Sequence, residues 1–374
     1  MADAHGLVFG VERANKDSDR RIGRSSTLMT RVYVGMSGGV DSSVAAALLV
    51  EQGYDVTGVY MKNWTQDLPG VRCPWADDLA DAKRVAVQLG IDFKVYDFEQ
   101  EYREKVVQYM IDEYEAGRTP NPDIMCNQEV KFKLFLETAL GDGADMIATG
   151  HYARVENGML KCAKDTDKDQ TYFLGRISGD ALKKVLFPLG DFLKSEVREM
   201  ATRKGLWTAK KAESMGVCFV GNVGMREFLS QYVETHAGLI IDAQTKKTIG
   251  QHDGAIFYTL GQRHGLDVGG GLPYYVVGKN MEKNEVYAST NLNSQELWKA
   301  QLSLDHVHWI NSMPPEGTYK VRVRHRAALV EAALKYGDDA TVLLDLSEPQ
   351  RAATPGQSVV IYNDEVCLGS GLVR

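Results

Sequence analysis

The sequence predicts an α/β fold in its first half, followed by a small central β-rich domain and a C-terminal antiparallel β-barrel. Up to about residue 220, apolar strand-like segments alternate with helical stripes, which indicates a parallel sheet with helical crossovers. Glycine and β-branched residues then become frequent. From Trp298 onward, apolar and polar residues alternate, which indicates a small antiparallel barrel or sandwich, of which we predict the barrel. We therefore predict domains at 31–220, 221–297 and 298–374.

Composition and charge exclude several classes of protein. The hydrophobic share of 44% and the charged share of 25% are ordinary for a globular chain of 374 residues. No apolar run approaches the roughly 18–20 residues that span a bilayer, so we expect no membrane partner. Residues 1–30 lack the apolar centre of a signal peptide and are too acidic for a transit peptide. We expect a disordered extension there, with Met29 as a candidate start, and a cytoplasmic protein.

The net charge and the cysteines bear on the partners of the chain. A net charge of −7 is not that of a non-specific nucleic-acid binder, so any RNA contact needs a local basic surface. The five cysteines are widely spaced and form no C-x-x-C pair, which argues against a disulfide scaffold and against a dedicated metal site. We expect Cys73, Cys162 and Cys367 to be structural.

The elements of the first half follow from periodicity and from turn residues. Helical stripes end at Gly53, Gly90 and Gly205, which suit helix C-termini. Asn157-Gly158 predicts a hairpin turn. In order, we predict strand 32–36, helix 44–50, strand 55–61, helix 77–89, strand 93–96, helix 99–114, helix 127–139, strand 146–149 and helix 195–204.

The loop Ser37–Ser43, between the first strand and the first helix, predicts an anion site. The N–H groups of a first helical turn lack partners, and two glycines let a phosphate approach them closely. The serine hydroxyls can donate to phosphate oxygens, and Asp41 fits a Mg²⁺ that bridges it to a pyrophosphate. Met61 and Gly150-His151 also follow strands, so one crevice should hold all three segments. A glycine turn with a serine N-cap is the alternative.

Two further loops contain cysteines. Cys126 precedes a helix that we predict to begin near Asn127, whose N-terminus would favour a thiolate, and Asp123 could exchange a proton nearby. Cys218 lies in a glycine-bracketed loop after Lys210-Lys211, which would also favour a thiolate. A buried structural cysteine is the alternative in each case. Together the two thiols suit sulfur transfer, in which one carries a persulfide and the other forms a disulfide on release.

The segment Lys320–Arg326 carries a cation at every second position. In a strand, Lys320, Arg322, Arg324 and Arg326 would share one face and bind phosphates in a salt-dependent way. A solvated edge strand, protected from aggregation by its charge, is the alternative.

The serine loop lacks the lysine of a Walker motif and instead resembles the SGGxDS loop of the ATP pyrophosphatase (PP-loop) group. Further strings, in order from about Arg31 to the C-terminus, resemble the bacterial tRNA-specific 2-thiouridylases. They are Met61–Trp64, Thr119–Asn127, Ala148–Tyr152, Lys168–Gln170, Gly216–Phe219, Thr259–Arg263 and Thr354–Gln357. The resemblance implies that 31–220 is a Rossmann-like nucleotide-binding and thiolation domain.

The resemblance also implies a reaction, which is ATP-dependent replacement of the 2-oxygen of the wobble uridine of tRNA by sulfur. ATP, accompanied by Mg²⁺, would adenylate that oxygen. A Cys218 persulfide would then deliver sulfur, and Cys126 would close a disulfide. The implied partners are the anticodon stem-loop of tRNA and a protein that donates persulfide sulfur.

The residue roles that the resemblance implies fall into three groups. ATP would be bound by Ser37, Gly38, Gly39, Val40, Asp41, Ser42, Ser43, Val44, Met61 and Gly150. Asn121, Pro122 and Asp123 would face the target base, and His151, Lys168, Asp169, Gln170, Arg324, His325 and Gln357 would contact tRNA. Cys126, Cys218 and Asp123 would be catalytic. The chain has His325 where tyrosine is common, which leaves that RNA contact open.

Two rival functions stay open at this point. An ATP pyrophosphatase that amidates or ligates a small metabolite would share the serine loop but would need neither cysteine. A tRNA-binding module without chemistry would not need the intact Ser37–Ser43 loop.

Overall fold

The computed structural model describes residues 29–67, 72–212, 224–269, 273–293 and 297–374. Its first strands are β1 (Arg31–Gly35), β2 (Asp55–Lys62), β3 (Asp92–Asp97), β4 (Met146–Ala148), β5 (Arg154–Glu156), β6 (Met159–Lys161) and β7 (Val185–Leu186). The helices among them are α1 (Val40–Glu51), α2 (Trp75–Leu89), α3 (Glu99–Tyr102), α4 (Gln108–Glu115), α5 (Pro122–Met125), α6 (Phe135–Gly141), α7 (Thr171–Leu174), α8 (Gly179–Leu182) and α9 (Lys194–Arg203). Within the described ranges, no helix is both long and apolar enough to cross a membrane.

Five of these strands form the predicted parallel sheet, in the order β3-β2-β1-β4-β7. Helices cover both of its faces. On one face, Val32 and Val34 pack with apolar residues of α1 and α2. On the other, Tyr33 packs in a cluster that includes Phe135 of α6. The predicted sheet with helical crossovers is confirmed, and its central strands are apolar on both sides because both sides are buried.

The helix that carries Cys126 begins at Pro122, so the predicted start near Asn127 is wrong. α5 continues directly into a π-helical segment, Cys126–Leu134, and then into α6. Proline suits the first position of a helix, where no backbone donor is needed. Asn121 Oδ1 caps this end by accepting from the N–H groups of Asp123 (3.1 Å) and Ile124 (3.3 Å). Cys126 therefore lies in the second helical turn and not at the N-terminus.

The central domain is a small mixed sheet, as predicted. It contains α10 (Met225–Leu229), β8 (Gly238–Asp242), β9 (Thr248–His252), β10 (Tyr275–Asn280) and β11 (Glu285–Ser289). The strand order is β10-β11-β8-β9, in which only β11 and β8 are parallel. Ile240, Val276 and Val286 are fully buried at its core.

The C-terminal domain is the predicted closed antiparallel barrel. Its strands are β12 (Trp298–Trp309), β13 (Gly317–Arg322), β14 (Val330–Tyr336), β15 (Val342–Arg351), β16 (Ser358–Asn363) and β17 (Val366–Val373). They pair in the order β12-β15-β14-β13-β16-β17, and β17 returns to β12. Alternate apolar side chains such as Leu304, Val321 and Leu344 fill the interior. Closure leaves few unpaired strand edges.

The hairpin β5–β6 joins the parallel-sheet domain to the barrel. Its turn, Asn157-Gly158, has positive φ at both residues (53° and 74°), as a type I′ turn requires, so the predicted hairpin is confirmed. β6 pairs with β17, where Leu160 lies opposite Cys367. Beyond that pair, the N–H of Cys162 donates to the carbonyl of Glu365 (2.8 Å). The barrel is thereby held by main-chain hydrogen bonds to a segment some two hundred residues away in sequence.

The predicted row of four cations along one strand is wrong. β13 ends at Arg322, and Arg326 has a positive φ of 62°, so the chain turns before the row is complete. Arg322 points inward and its Nη1 lies 3.3 Å from the buried carboxylate of Asp169. Arg324 is exposed. Lys320 therefore stays on β13 whereas Arg324 and Arg326 lie beyond its end, so the four cations do not share one strand face.

We predict that Leu160→Ala lowers the free energy of unfolding by about 2–5 kcal/mol, because this fully buried side chain packs at the junction of hairpin and barrel. Denaturant titration of the full chain measures the change. The adjacent Met159 is 37% exposed, so Met159→Ala should cost less than about 1 kcal/mol. Equal effects of the two substitutions would contradict a packed junction.

Candidate functional site

The turn between β1 and α1 admits only glycine at its tightest point. Gly38 has a φ of +73°, and a Cβ atom there would lie 2.3 Å from the carbonyl oxygen of Asp78. Gly39 is the N-cap of α1, with extended backbone and no capping side chain. The first N–H groups of this 12-residue helix are therefore not capped by a side chain of the N-cap residue. That arrangement suits an anion such as phosphate.

Two of the three serine hydroxyls in the loop are buried and stabilise the turn by hydrogen bonds. Ser43 is fully buried, donates to the carbonyl of Gly39 (2.7 Å) and accepts from the hydroxyl of Thr208 (2.9 Å). Ser42 is also buried, donates to the same carbonyl (3.2 Å) and accepts from the N–H of Ser37 (3.2 Å). Ser37 is exposed. Of these three hydroxyls, that of Ser37 is the one that a ligand reaches directly.

Asp41 is held by two side chains from other elements. Lys194 Nζ, at the start of α9, lies 2.6 and 2.7 Å from its two carboxylate oxygens, and the hydroxyl of Tyr152 donates to it (2.9 Å). Sequence reasoning missed Lys194, because a lone lysine at a helix start forms no motif. No group of three or more His, Cys, Asp and Glu side chains in the described ranges could hold a metal. Asp41 would have to exchange one of its present contacts to bind a cation.

The strand ends meet at this loop, as the sequence predicted. A Cβ atom on Gly150 would lie 2.7 Å from the backbone nitrogen of Ser42, so the segment after β4 touches the first turn of α1. Met61, near the end of β2, reaches the end of β1, where its Cε would lie 2.9 Å from a Cβ on Gly35. Val40 and Val44 are buried, so only their backbone could contact a ligand.

His151 connects the serine loop, through the segment after β4, to the helix of Cys126. Its Nδ1 lies 2.8 Å from the hydroxyl of Thr149. Its ring packs against those of Phe132 (5.5 Å) and Phe187 (6.2 Å), and Phe132 belongs to the same helix as Cys126. Burial, together with the positive charge of Lys131, lowers the pKa of His151 well below its ordinary value. We therefore expect a neutral imidazole here, which suits contact with a base better than with a phosphate.

Asp123 and Cys126 occupy positions i and i+3 of the capped helix, so their side chains share one face. Cys126 is buried, with 2% of its surface exposed. Burial raises the pKa of the Asp123 carboxyl, and the charge of Lys131 opposes the rise only in part. A carboxyl with a raised pKa beside a thiol can both take up and return a proton. Cys218 and the glycine-bracketed loop around it lie outside the described residues, so its pairing with Cys126 stays a prediction.

α7 contacts both the start of the helix that carries Cys126 and the barrel. The hydroxyl of Tyr172 donates to the carbonyl of Ser358 (2.9 Å) and contacts the side chain of Asn121. The ring of Phe173 packs on that of His325, with ring centroids 4.4 Å apart. The structure therefore brings His325 close to the segment that the resemblance assigns to the target base.

A second barrel loop touches the chain just before that segment. The N–H of Thr119 donates to the carbonyl of Pro355 (2.8 Å). Gly356, with a φ of +83°, lies so close to Arg118 that a Cβ atom would be 2.7 Å from the Cβ of that residue. Gln357 follows, and its side-chain oxygen accepts from the N–H of Thr354 (3.3 Å). The predicted RNA contacts His325 and Gln357 thus lie on two sides of one region.

The three residues Lys168, Asp169 and Gln170 are placed unequally. Asp169 is 4% exposed, and its carboxylate accepts from the N–H of Ala163 (3.0 Å) and from the hydroxyl of Thr171 (2.7 Å). Gln170 accepts from the N–H of Tyr152 (2.8 Å). Both side chains therefore stabilise the fold, and their RNA contacts stay predictions. Each carboxylate oxygen of Asp169 already accepts a hydrogen bond within the protein. Lys168 and Arg324 are not buried.

The chain matches three family models in succession. Residues 30–222 match the tRNA methyl transferase HUP domain, residues 226–290 the tRNA methyl transferase PRC-barrel domain, and residues 299–373 the aminomethyltransferase beta-barrel domain. The first match contains the serine loop, the capped helix and the segment after β4. The third contains both barrel loops described above.

Curated relatives match nearly the whole chain. The tRNA-specific 2-thiouridylase MnmA of Bacillus subtilis (strain 168) is 47% identical over 356 residues, which cover 92% of this chain and 95% of that protein. The protein of the same name from Halalkalibacterium halodurans is 48% identical over 355 residues, with coverage of 92% and 94%. Among solved structures, a 4-thiouridine synthetase–RNA complex with bound ATP overlaps 55% of this chain and 50% of that one, with 19% identity and a TM-score of 0.37, which supports no conclusion.

We predict that Gly38→Ala lowers ATP affinity at least tenfold, because its Cβ atom would collide with the backbone of Asp78 and distort the turn. Gly53→Ala is the matched control, since Gly53 also has a positive φ, of +84°, but has no atom within 4 Å of a Cβ. Both changes should cost about 1–2 kcal/mol in backbone strain, whereas only the first should alter calorimetric ATP binding. Wild-type affinity in the Gly38→Ala protein would count against this loop as the nucleotide site.

Proposed function

Because the chain belongs to the tRNA-specific 2-thiouridylase family, we propose that it uses ATP to replace the 2-oxygen of the wobble uridine of tRNA by sulfur carried on Cys218. The observation that supports this most directly is the shared helical face of Asp123 and Cys126 beside α7. That face lies between two elements. The serine loop is on one side, reached through the contact of Phe132 with His151, and the barrel residues His325 and Gln357 are on the other. A base held there would lie between a nucleotide site and a thiol.

The first step is adenylation of the uracil. A carbonyl oxygen is a poor leaving group, so O2 attacks the α-phosphorus of ATP, and pyrophosphate leaves with the electron pair of the broken P–O bond. The N–H groups at the start of α1 would hold the phosphates, and Ser37 would donate its exposed hydroxyl. Mg²⁺, brought with ATP, would neutralise charge on the pyrophosphate. Lys194 would become available to a phosphate oxygen when Asp41 turns to the metal.

The second step is sulfur transfer. The terminal sulfur of a Cys218 persulfide attacks C2, and AMP leaves with the former O2. The Cys126 thiolate then attacks the Cys218 sulfur of the resulting disulfide-like bridge, the thiolated base departs as the leaving group, and a Cys126–Cys218 disulfide remains. A protein that donates persulfide sulfur, and a reductant for that disulfide, would restart the cycle. Asp123 would take the proton of the Cys126 thiol.

The wobble base must leave its stack to reach this site. Enzymes that modify a base within folded nucleic acid extrude it into a pocket and read it by stacking and by its edges. The partly exposed rings of Phe173 and His325, which pack on each other, supply aromatic surface there. With tRNA as substrate and persulfide as sulfur source, we place the reaction in the cytoplasm.

The family descriptions name methyl transfer, whereas the relatives are named thiouridylases. Methyl transfer and thiolation require different groups in the site. Methyl transfer would need neither a pyrophosphate loop nor a thiol beside a proton-exchanging carboxyl. Amidation of a small metabolite would use the loop but would leave the barrel contacts to α7 and to the segment just before α5 without a role. Thiolation uses all of these features.

We predict that the full chain, incubated with unmodified tRNA, ATP, Mg²⁺ and a sulfide source, forms 2-thiouridine, which mass analysis of the nucleosides would detect. Cys126→Ser and Cys218→Ser should each abolish that product, because a serine hydroxyl cannot form or break a disulfide. Cys73→Ser is the control, since this thiol lies outside the proposed pair and its Sγ contacts a backbone carbonyl, that of Trp64 (3.6 Å), which a serine hydroxyl can also contact. A methylated nucleoside, or full thiolation by either serine variant of the proposed pair, would overturn the proposal.

We predict opposite effects of Asp123→Asn on stability and on activity. The raised pKa means that the folded state binds this proton more tightly than the unfolded chain. Its contribution to the free energy of unfolding is therefore greatest below the ordinary carboxyl pKa and is lost as pH rises through the raised value. At pH 7 the asparagine variant should unfold at a higher temperature yet thiolate about 10²-fold more slowly.

Asp112→Asn, at an exposed position of α4, is the matched control and should change neither property. Undiminished thiolation by Asp123→Asn would show that this carboxyl moves no proton in the reaction. A lowered unfolding temperature at pH 7 would contradict the burial argument.

A further inference from the structure

Asn127 combines deep burial with an incomplete set of hydrogen bonds. It follows Cys126 in the chain, and only 2% of its surface is exposed. Its Nδ2 donates to the backbone carbonyl of Phe173 (3.1 Å). Its Oδ1 is buried as well and has no hydrogen-bond partner in the part of the chain that the structure describes. Because the carbonyl of Phe173 needs a donor, the amide cannot turn round, and its oxygen stays on the opposite side.

An acceptor left in this state destabilises a protein. A buried polar group without a partner costs about 1–3 kcal/mol, and the great majority of such groups are paired. An apolar side chain of the same shape would avoid the penalty for Oδ1. A costly side chain beside the proposed nucleophile is explained if a ligand supplies the missing donor.

The position of Asn127 is the one that a target base would contact. Asp123, Cys126 and Asn127 stand at i, i+3 and i+4 along one helix, so all three project from one face. Phe173 forms the neighbouring wall, because its carbonyl accepts from Asn127 while its ring packs on His325. The Nδ1 of His325 is a second buried atom without a partner in the described ranges. Two unsatisfied polar atoms therefore flank one phenylalanine.

We propose that Oδ1 of Asn127 accepts a hydrogen bond from N3–H of the target uracil. The inference rests on the proposed function, since it takes a uridine as the ligand. N3–H is the ring donor next to C2, the carbon at which oxygen is exchanged for sulfur. In cytosine the same ring position is an acceptor, so its lone pair would face that of Asn127. Asn127 thus selects uracil over cytosine at the reacting edge.

The same contact assists adenylation. Drawing the N3 proton toward Asn127 leaves more electron density on O2, the atom that must attack ATP. The amide is a neutral acceptor over the whole pH range, whereas the nearby Asp123 carboxyl changes its protonation state. The helix face therefore separates two tasks, with Asn127 holding the base and Asp123 moving a proton. Since Oδ1 has no contact with solvent here, the entering base has to displace the side chains that cover it.

The test compares two enzymes on two substrates. Anticodon stem-loop RNAs carry either uridine or 3-deazauridine at the wobble position, where a C–H group replaces N3–H without changing the shape of the base. Wild type and Asn127→Leu are each assayed for kcat/KM of thiolation. The two bases differ in intrinsic reactivity, but this difference is the same for both enzymes. It therefore cancels when the uridine preference of one enzyme is divided by that of the other. Asn127→Ala gives the same comparison if the leucine variant does not fold.

We expect the ratio of kcat/KM for uridine to kcat/KM for 3-deazauridine to be about tenfold higher in wild type than in Asn127→Leu. On uridine alone, the variant should be about tenfold slower than wild type. Asn311→Leu is the control, because Asn311, which is exposed, also donates its amide to a backbone carbonyl, that of Gly158 (3.2 Å), and packs beside Gly179 of α8. It should keep the wild-type preference. An undiminished preference in Asn127→Leu overturns this inference alone, whereas absence of thiolated product from wild type on uridine RNA overturns the proposed function as well.

Discussion

The cap formed by Asn121 determines where the chemically important side chains of this protein point. Its oxygen satisfies two backbone donors at the start of the helix, an interaction whose loss from a helix costs about 0.5–2 kcal/mol. Because Pro122 fixes the first helical residue, Asp123, Cys126 and Asn127 follow on one face. The same asparagine contacts Tyr172, so the cap also sets the distance between this face and α7.

The barrel completes the site from a distance in sequence. Main-chain pairing of β6 with β17 holds the barrel on the first domain, and the loop at Pro355 bonds Thr119 just ahead of the cap. His325 then reaches Phe173. Each of these contacts is local in space and remote along the chain.

The fold could largely be predicted because its causes are local. Apolar periodicity, glycine stops and the Asn157-Gly158 turn specify strands, helices and a hairpin from neighbouring residues alone. The errors occurred where local rules compete. The helix of Cys126 begins at Pro122 and not near Asn127, because a proline at the first helical position starts a helix. The charged strand was extended past Arg322 because alternation of cations does not reveal the left-handed backbone of Arg326.

By itself, the sequence determined the class of fold, the nucleotide loop and the segment around Cys126, since each depends on residues adjacent in the chain. Only the tertiary structure decided which polar atoms are left for a ligand. It uses Ser42, Ser43 and Asp169 to satisfy buried backbone and side-chain groups, because unpaired groups there would be too costly. It brings Lys194 to Asp41 across 153 residues and leaves the oxygen of Asn127 without a hydrogen-bond partner among the residues that the structure describes, and no pattern along the chain could have predicted either.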